Sequence, residues 1–272
     1  MEIYDSHIHS CFSTDSIMEA DAACAAAVQK KLAGIQFAEH VDIDYPGHEA
    51  EFDVDFIKYL ATVFRLKQQY EGRLKVGAGI ETGFQPHTRK QTEAIVARHR
   101  GSLDIIIQSV HIFRHQDPYT GEIYEGKTMR QVYGTALEEI LASLQAGWPF
   151  QVVGHLEYIT RYFPYPDRSL RYMEFPDLYD EIFKKLIEKG RGLELNTGSL
   201  RADPGAESRF AFDRQLYTRY RECGGEIITL ASDAHRTEHL GFALADAAEF
   251  LKHCGFSHYT CFMEQTPGFV KI

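Results

Sequence analysis

The chain reads as short apolar runs alternating with longer segments of helical period. The runs lie at residues 2–6, 34–38, 74–80, 104–110, 151–154, 191–195 and 226–231. Several are nearly continuous in Val, Ile and Leu, the pattern of strands buried on both faces. Between them, helices are predicted over 18–32, 53–70, 88–99, 129–145, 174–188, 206–222 and 240–252. Gly34, Gly72, Gly101, Gly147, Gly190 and Gly224 each fall between a helix and the next strand, where a left-handed residue ends a helix. Gly255 closes the last helix in the same way, before a short run at 258–263. The helix-to-strand turns are short. The strand-to-helix loops at 40–52, 112–128 and 157–171 are long and polar.

A strand–helix unit repeated seven times, without repeated sequence, predicts an α/β fold with a barrel of parallel strands. No linker or low-complexity stretch divides residues 1–272, so one domain is expected. In such barrels the loops after the strands form the active face. A doubly wound open sheet is the rival architecture, but no Gly-rich nucleotide loop follows the first strand.

The strand ends carry the chemistry. The first ends in Asp5-Ser6-His7-Ile8-His9, the second in Glu39-His40 and the third in Gly79-Ile80-Glu81. The fourth ends in Ser109-Val110-His111, the fifth in Gly154-His155 and the seventh in Ser232-Asp233-Ala234-His235. The sixth ends in Glu194-Leu195-Asn196-Thr197, which is also polar. In a strand, residues i and i+2 point to the same side, so His7 and His9 can grip one ion, and Asp233 and His235 can serve neighbouring ions. One strand-end histidine is an ordinary residue. Five strand ends carrying His or Glu, with a final Asp-x-His, are a metal-binding pattern. Mixed imidazole and carboxylate suits Zn, Mn or Fe. Glu81 has two oxygens with which to bridge a metal pair. Asp15 is taken as a ligand beside the His-x-His pair, and Ser16 as the cap of the following helix. His48, His87, His99, His239, His253 and His258 lie away from this rim and are expected to be solvated, as is His115 in an active-face loop.

Composition narrows the partners. The chain has 272 residues, 44% of them apolar, and a formal net charge of −10. That balance argues against nucleic acid, whose backbone needs Lys and Arg, but leaves room for a small anionic substrate. Five cysteines, an odd number with no CxxC pair, predict neither a disulfide framework nor a Cys-type zinc site. No signal-peptide pattern opens the chain, and no apolar run approaches the roughly 20 residues that span a membrane. A cytoplasmic protein without membrane partners is expected. No oligomeric state is specified.

These residues resemble the polymerase-and-histidinol-phosphatase (PHP) family. The motifs are His7-Ile8-His9 with Ser13-Thr14-Asp15-Ser16, then Glu39-His40, Glu81, His111, His155 and Asp233-Ala234-His235. The stretches Ser109–His111 and Gly154–Tyr162 are similar to the stand-alone histidinol-phosphate phosphatases of that family. The resemblance implies a distorted TIM-like (β/α)7 barrel and a site for three divalent ions (Zn, Mn or Fe). By position, His7, His9, Glu81 and Asp233 would hold the first ion. Glu81, His111 and His155 would hold the second, and Asp15, His40 and His235 the third. Some members have His where this chain has Asp15, a harder ligand that would favour Mn or Fe there.

The expected reaction is hydrolysis of a phosphate monoester, most specifically L-histidinol phosphate to L-histidinol and phosphate, as in histidine biosynthesis. Metal ions would hold the phosphate oxygens and make water nucleophilic near neutral pH. Asp15, Glu81, His235 and Arg161 are the candidate catalytic residues, with Asp15 or His235 as possible acids for the leaving group. Arg161 and Arg201 are candidate phosphate binders. Phe113, Tyr158, Tyr162 and Phe163 offer faces for an imidazole, and Asp42, Glu122 and Glu157 offer partners for an ammonium. Alternatives are a PHP phosphoesterase with another substrate, a metal-dependent amidohydrolase and a non-catalytic metal-binding module. None of the ligand-bearing strands ends in the Lys common in the second, and the ligand set exceeds the four that a closed structural site needs.

Overall fold

The structure is a computed structural model that describes residues 1–47, 54–162, 167–201 and 210–272. His48 and Phe163 lie outside the described residues, as do the first residue of the helix expected from 53 and the first four of that expected from 206. Seven strands form one parallel sheet in sequence order: β1 (Tyr4–Ile8), β2 (Gly34–Val41), β3 (Lys75–Gly83), β4 (Ile105–Ser109), β5 (Val152–Val153), β6 (Gly192–Asn196) and β7 (Ile228–Ala231). Beyond β7 the sheet curls back on its first strand. Ile8 bridges to Ala234 in parallel, and Asp233 N–H donates to the carbonyl of His7 at 2.9 Å. The result is a nearly closed (β/α)7 barrel.

Among the described residues seven α-helices pack outside: α1 (Ala20–Gln29), α2 (Phe56–Gln69), α3 (Arg89–His99), α4 (Met129–Ser143), α5 (Pro176–Glu188), α6 (Arg214–Glu222) and α7 (Leu244–His253). Period-2 alternation sorts the strand residues. Ile106 of β4 joins the large core that includes Tyr59 of α2 and Leu137 of α4. Its neighbours Ile105 and Ile107 turn inward and meet Ala38, Val152 and Phe262 in a small cluster inside the barrel.

Phe262 belongs to an element that was only half expected. The run at 258–263 is β8 (His258–Met263), and it folds back as a hairpin on β9 (Thr266–Lys271). Asp104 anchors the hairpin turn by accepting from the N–H of Glu264 at 2.9 Å. The hairpin thus stoppers the barrel at the end opposite the active face. Among the described residues no helix is long and apolar enough to cross a membrane.

Boundaries differ from expectation for identifiable reasons. Helix α1 begins at Ala20 behind Glu19, and Ser16 does not cap it; its hydroxyl donates to the carbonyls of His9 and His235. Helix α6 begins at Arg214, where the Asp213 carboxylate accepts from the N–H of Gln215, so 210–213 are not helical. The left-handed residue after α1 is Lys31, at φ 59°, and not Gly34. Gly34 opens β2 because a Cβ there would lie 2.6 Å from the Tyr4 ring.

Candidate metal centre

Residues at or just beyond the ends of the strands converge on one point. Glu81 of β3, fully buried, stands at its centre. Its Oε2 lies 3.2 Å from His7 Nε2, 3.5 Å from His9 Nε2 and 3.2 Å from His40 Nδ1. Its Oε1 lies 3.0 Å from His111 Nε2 and 2.7 Å from His155 Nε2. Asp233 Oδ1 lies 3.4 Å from His9 Nε2. At the outer edge Asp15 Oδ2 is 3.4 Å from His40 Nε2 and 3.1 Å from His235 Nε2. All nine residues expected at the rim are therefore gathered. Asp15 and His235 are the most open, with side chains 45% and 24% exposed, whereas His7, His9 and Glu81 are at 0%.

Strand alternation explains who is inside. His7 and His9 share a side, and their Nε2 atoms are 2.9 Å apart. Glu39, one residue from His40, points the other way. It accepts from the Ser10 N–H at 3.1 Å and from the hydroxyls of Ser10 and Ser13, and burial pushes its carboxyl up to about 7. Asp233 and His235 do not pair by alternation, because β7 has already ended at Ala231 and Asp233 adopts a left-handed φ of 54°. That turn, anchored on β1, is what brings the Asp233 carboxylate beside His9.

A second set of residues orients the first. Glu194 of β6 accepts from His7 Nδ1 at 2.8 Å and from the His155 N–H at 3.1 Å. Asp42 accepts from His111 Nδ1 at 2.8 Å and lies 3.1 Å from His40 Nδ1. Ser13 Oγ lies 3.2 Å from His9 Nδ1. Because Ser13 donates its own proton to Glu39, it accepts from His9. A carboxylate or hydroxyl on one ring nitrogen fixes the lone pair on the other. Asp42 was expected to meet a substrate ammonium; the structure uses it to hold two imidazoles. The role of Glu194 was missed, although its place at a strand end signalled it.

The donor set can be tested against a metal ion. With Nδ1 of His7 and His9 both donating, two imidazole lone pairs and the Glu81 and Asp233 oxygens converge with no donor between them. Electrostatics agree that positive charge belongs there. Burial lowers the pKa of His7, but Glu194 and Glu81 outweigh it and raise it well above the usual value. Burial likewise opposes protonation of His111, yet Asp42 and Glu81 push it up to about 10. Burial alone would raise the Glu81 carboxyl, but His7, His111 and His155 hold it well below its usual range. His9 is driven the other way, by burial and then by His40 and His235, and so keeps its lone pair free. A divalent ion satisfies these groups together and displaces the protons. Three groups could each hold an ion within this set: His7 with His9 and Asp233, His40 with Glu81 and His111, and His9 with His40 and His235. The residues fit divalent metal binding.

Above the cluster lies a cavity of about 330 Å³. Tyr45, Tyr158, Tyr162, Arg161, Arg168 and Arg201 line it, with the Arg161 guanidinium 5.3 Å from the centre of the Tyr158 ring. Arg161 Nη2 donates to Asp233 Oδ2 at 2.6 Å and to Asn196 Oδ1 at 3.2 Å. Arg201 donates to the carbonyls of Ser232 and Asp233, and so clamps the left-handed turn. Gly198 sits between these two arginines, where a Cβ would lie 2.9 Å from Arg201 Nη2 and 3.2 Å from Arg161 Nη2.

Three further expected substrate contacts are corrected. Phe113 is buried in the main core, Glu122 is exposed and does not line the cavity, and Glu157 is buried, accepting from the Tyr217 hydroxyl at 2.7 Å. Of the histidines taken as solvated, His99 instead stacks on Phe56 with ring centroids 3.9 Å apart.

Known proteins carry the same arrangement of sequence and fold. The model of the PHP domain matches residues 5–198. The probable histidinol-phosphatase of Clostridium acetobutylicum is 30% identical over 252 residues, which cover 93% of this chain and 94% of that one. The histidinol-phosphatase of Lactococcus lactis subsp. lactis is 29% identical over 263 residues, covering 96% and 95%. A crystal structure of histidinol phosphate phosphatase from Lactococcus lactis, complexed with zinc, L-histidinol and phosphate, superposes with a TM-score of 0.87 at 26% identity, covering 98% of this chain and 99% of that one. The strand-end ligands, the barrel that gathers them and these full-length similarities together place the chain in the PHP domain family.

Proposed function

We propose that this protein hydrolyses L-histidinol phosphate to L-histidinol and inorganic phosphate, using divalent ions held by the strand-end cluster. The observation that carries the chemistry is Glu81, whose two oxygens face five histidines from four different strand ends. A cavity of about 330 Å³ directly above suits a small molecule rather than a polymer. The substrate class is supported by relatives named for histidinol phosphatase activity along their whole length.

His7, His9, Glu81 and Asp233 would hold one ion, Glu81, His111 and His155 a second, and Asp15, His40 and His235 a third. Bound there, divalent ions supply Lewis acidity and charge neutralisation to a phosphate ester. The chain's own residues do the rest. Glu194, Asp42 and Ser13 keep the imidazole lone pairs aimed inward. Arg161 and Arg201 bring guanidinium groups to the cavity wall, where they meet phosphate oxygens. Asp15 and His235 stand at the lip, where the departing alkoxide takes up a proton. Tyr45, Tyr158 and Tyr162 line the same cavity and offer faces to an imidazole. The whole chain acts as one barrel domain, since β7 supplies Asp233 and closes against β1. Its five cysteines are free, which suits a cytoplasmic setting.

The test is kcat/KM for L-histidinol phosphate, glycerol phosphate, phosphoserine and p-nitrophenyl phosphate, at one pH with one defined metal. We expect histidinol phosphate to be preferred by well over 10-fold, because preference must come from binding remote from phosphorus. Values within a few-fold of one another would make this a PHP phosphoesterase of another substrate. Metal analysis of the same preparation should give three ions per chain.

A further inference from the structure

Arg161 carries a charge that the phosphatase chemistry needs, yet it sits on a weak support. It ends a single 3-10 turn, Tyr158–Thr160, in the loop after β5. A turn of that kind leaves carbonyls at its C-terminal end without partners from within the turn. Arg168, which no motif in the sequence singled out, supplies them. Its Nη1 donates to the carbonyl of Arg161 at 3.2 Å and to that of Thr160 at 3.4 Å.

Arg168 is itself firmly held. It is only 5% exposed, and its carbonyl accepts from the Tyr133 hydroxyl of α4 at 2.9 Å. The next residue, Ser169, is buried and accepts from the Ala211 N–H at 3.0 Å. The Arg168 guanidinium packs 5.9 Å from the centre of the Phe210 ring. A fixed backbone on one side therefore reaches across to the turn that presents Arg161. From there Arg161 reaches Asp233 and Asn196 at the edge of the metal cluster.

We infer that Arg168 is a positioning residue for phosphate binding, acting through Arg161 by capping the turn that carries it. A buried cation is expensive unless its donors are used. Here Nη1 goes to two backbone carbonyls of a cavity-lining segment. The guanidinium is thereby tied to the geometry of Arg161. Loss of this cap lets Arg161 sample orientations that miss the phosphate, without touching any of the nine metal-ligand candidates.

The inference rests on the phosphatase reading, and a double-mutant cycle separates the two. The measured quantities are the Kd of inorganic phosphate for the metal-loaded protein by calorimetry, metal content and Tm. Arg168→Met keeps the length of the side chain and removes its donors. We expect it to weaken phosphate by roughly 10-fold, the scale of a lost charge-assisted hydrogen bond, with metal content and Tm unchanged. Arg161→Ala should weaken phosphate more, and the double variant should be no worse than Arg161→Ala alone, because the two residues act as one unit. Arg168→Lys, which can still reach a carbonyl, should recover part of the loss. Multiplying effects in the double variant would overturn the inference, since Arg168 would then touch phosphate directly. A fall in Tm or metal content that accounts for the loss would overturn it too, as a role in folding. A strong Arg161→Ala effect with a silent Arg168→Met would remove only this inference. A silent Arg161→Ala would remove it together with the assignment of Arg161 to phosphate.

Discussion

Glu81 and Asp42 are both buried carboxylates within the same few ångströms, and their surroundings give them opposite tasks. Glu81 offers both oxygens to imidazole nitrogens, while Asp42 takes the far nitrogen of His111 and shares His40 Nδ1 with Glu81. Replacing Glu81 by Gln keeps the shape but removes the charge that faces five histidines. We expect kcat to fall by at least about 10³-fold, since several kcal/mol of charge stabilisation depend on it, with near-normal circular dichroism and fewer ions per chain by mass spectrometry. Activity and metal content close to those of the parent would sink the bridging role. Asp42→Asn should be milder. An orienting partner of a metal-ligating histidine is typically worth 10–100-fold in affinity or activity, so titration with zinc should show a shift of about that size. An Asn variant that binds zinc as the parent does would return Asp42 to the role of a possible substrate contact.

At the scale of elements, the strand ends do more than carry ligands; they are trimmed to fit them. β3 ends in Gly83, and a Cβ built there would overlap the Asp42 carboxylate. The glycine is thus required by the residue that aims His111. Gly83→Ala should push Asp42 aside and reproduce the zinc-binding defect of Asp42→Asn, with an added loss of stability of about 1–3 kcal/mol from overpacking. A Gly83→Ala protein with parental zinc affinity would show that the loop after β2 yields freely. The strands also run further than their apolar cores suggest. β2 and β3 continue through His40 and Glu81 to Val41 and Gly83, all of it buried. Hydrophobic pattern stops at the first charged residue, whereas hydrogen bonding to the neighbouring strand does not. Hence the apolar runs stop three residues short of the ends of both strands.

Over the whole molecule, the barrel concentrates acceptors that would repel one another without a cation. The candidate ligands from β1, β2, β3 and the loops after β1, β4, β5 and β7 can meet only if β7 returns to β1, so we expect folding and metal binding to be linked. Removal of metal by chelation should therefore lower Tm. An ion present at 100 times its Kd stabilises the folded state by about 2.7 kcal/mol per site, which corresponds to a shift of about 5 °C or more for a chain of this size. Zinc or manganese added back should restore the transition. A Tm indifferent to chelator, in protein shown to have lost its ions, would mean that the charges are relieved by protonation instead. The hairpin β8–β9 serves the same closure from below, since its Phe262 fills the barrel interior beside Ile105 and Ile107.

The sequence by itself determined the class of fold, the order of the elements and the identity of the nine rim residues. Those follow from local rules: apolar runs make buried strands, alternation decides which neighbours share a face, and side chains at the ends of parallel strands share a level. Even the separation of His40 from Glu39 is alternation, although only the structure shows which of the two turned inward. What tertiary structure alone decided depends on residues far apart in the chain. The pairing of Asp233 with His9 needs a left-handed turn held by β1, 224 residues away by the numbering of the two. The assignment of Asp42 and Glu194 to orienting histidines depends on which ring nitrogen lies nearest, a matter of ångströms that no spacing encodes. Phe113 and Glu157 looked available because they lie in loops, and three-dimensional packing put them in the core. Arg168 was silent for the complementary reason: its partners are backbone carbonyls, which every residue has and no sequence pattern marks.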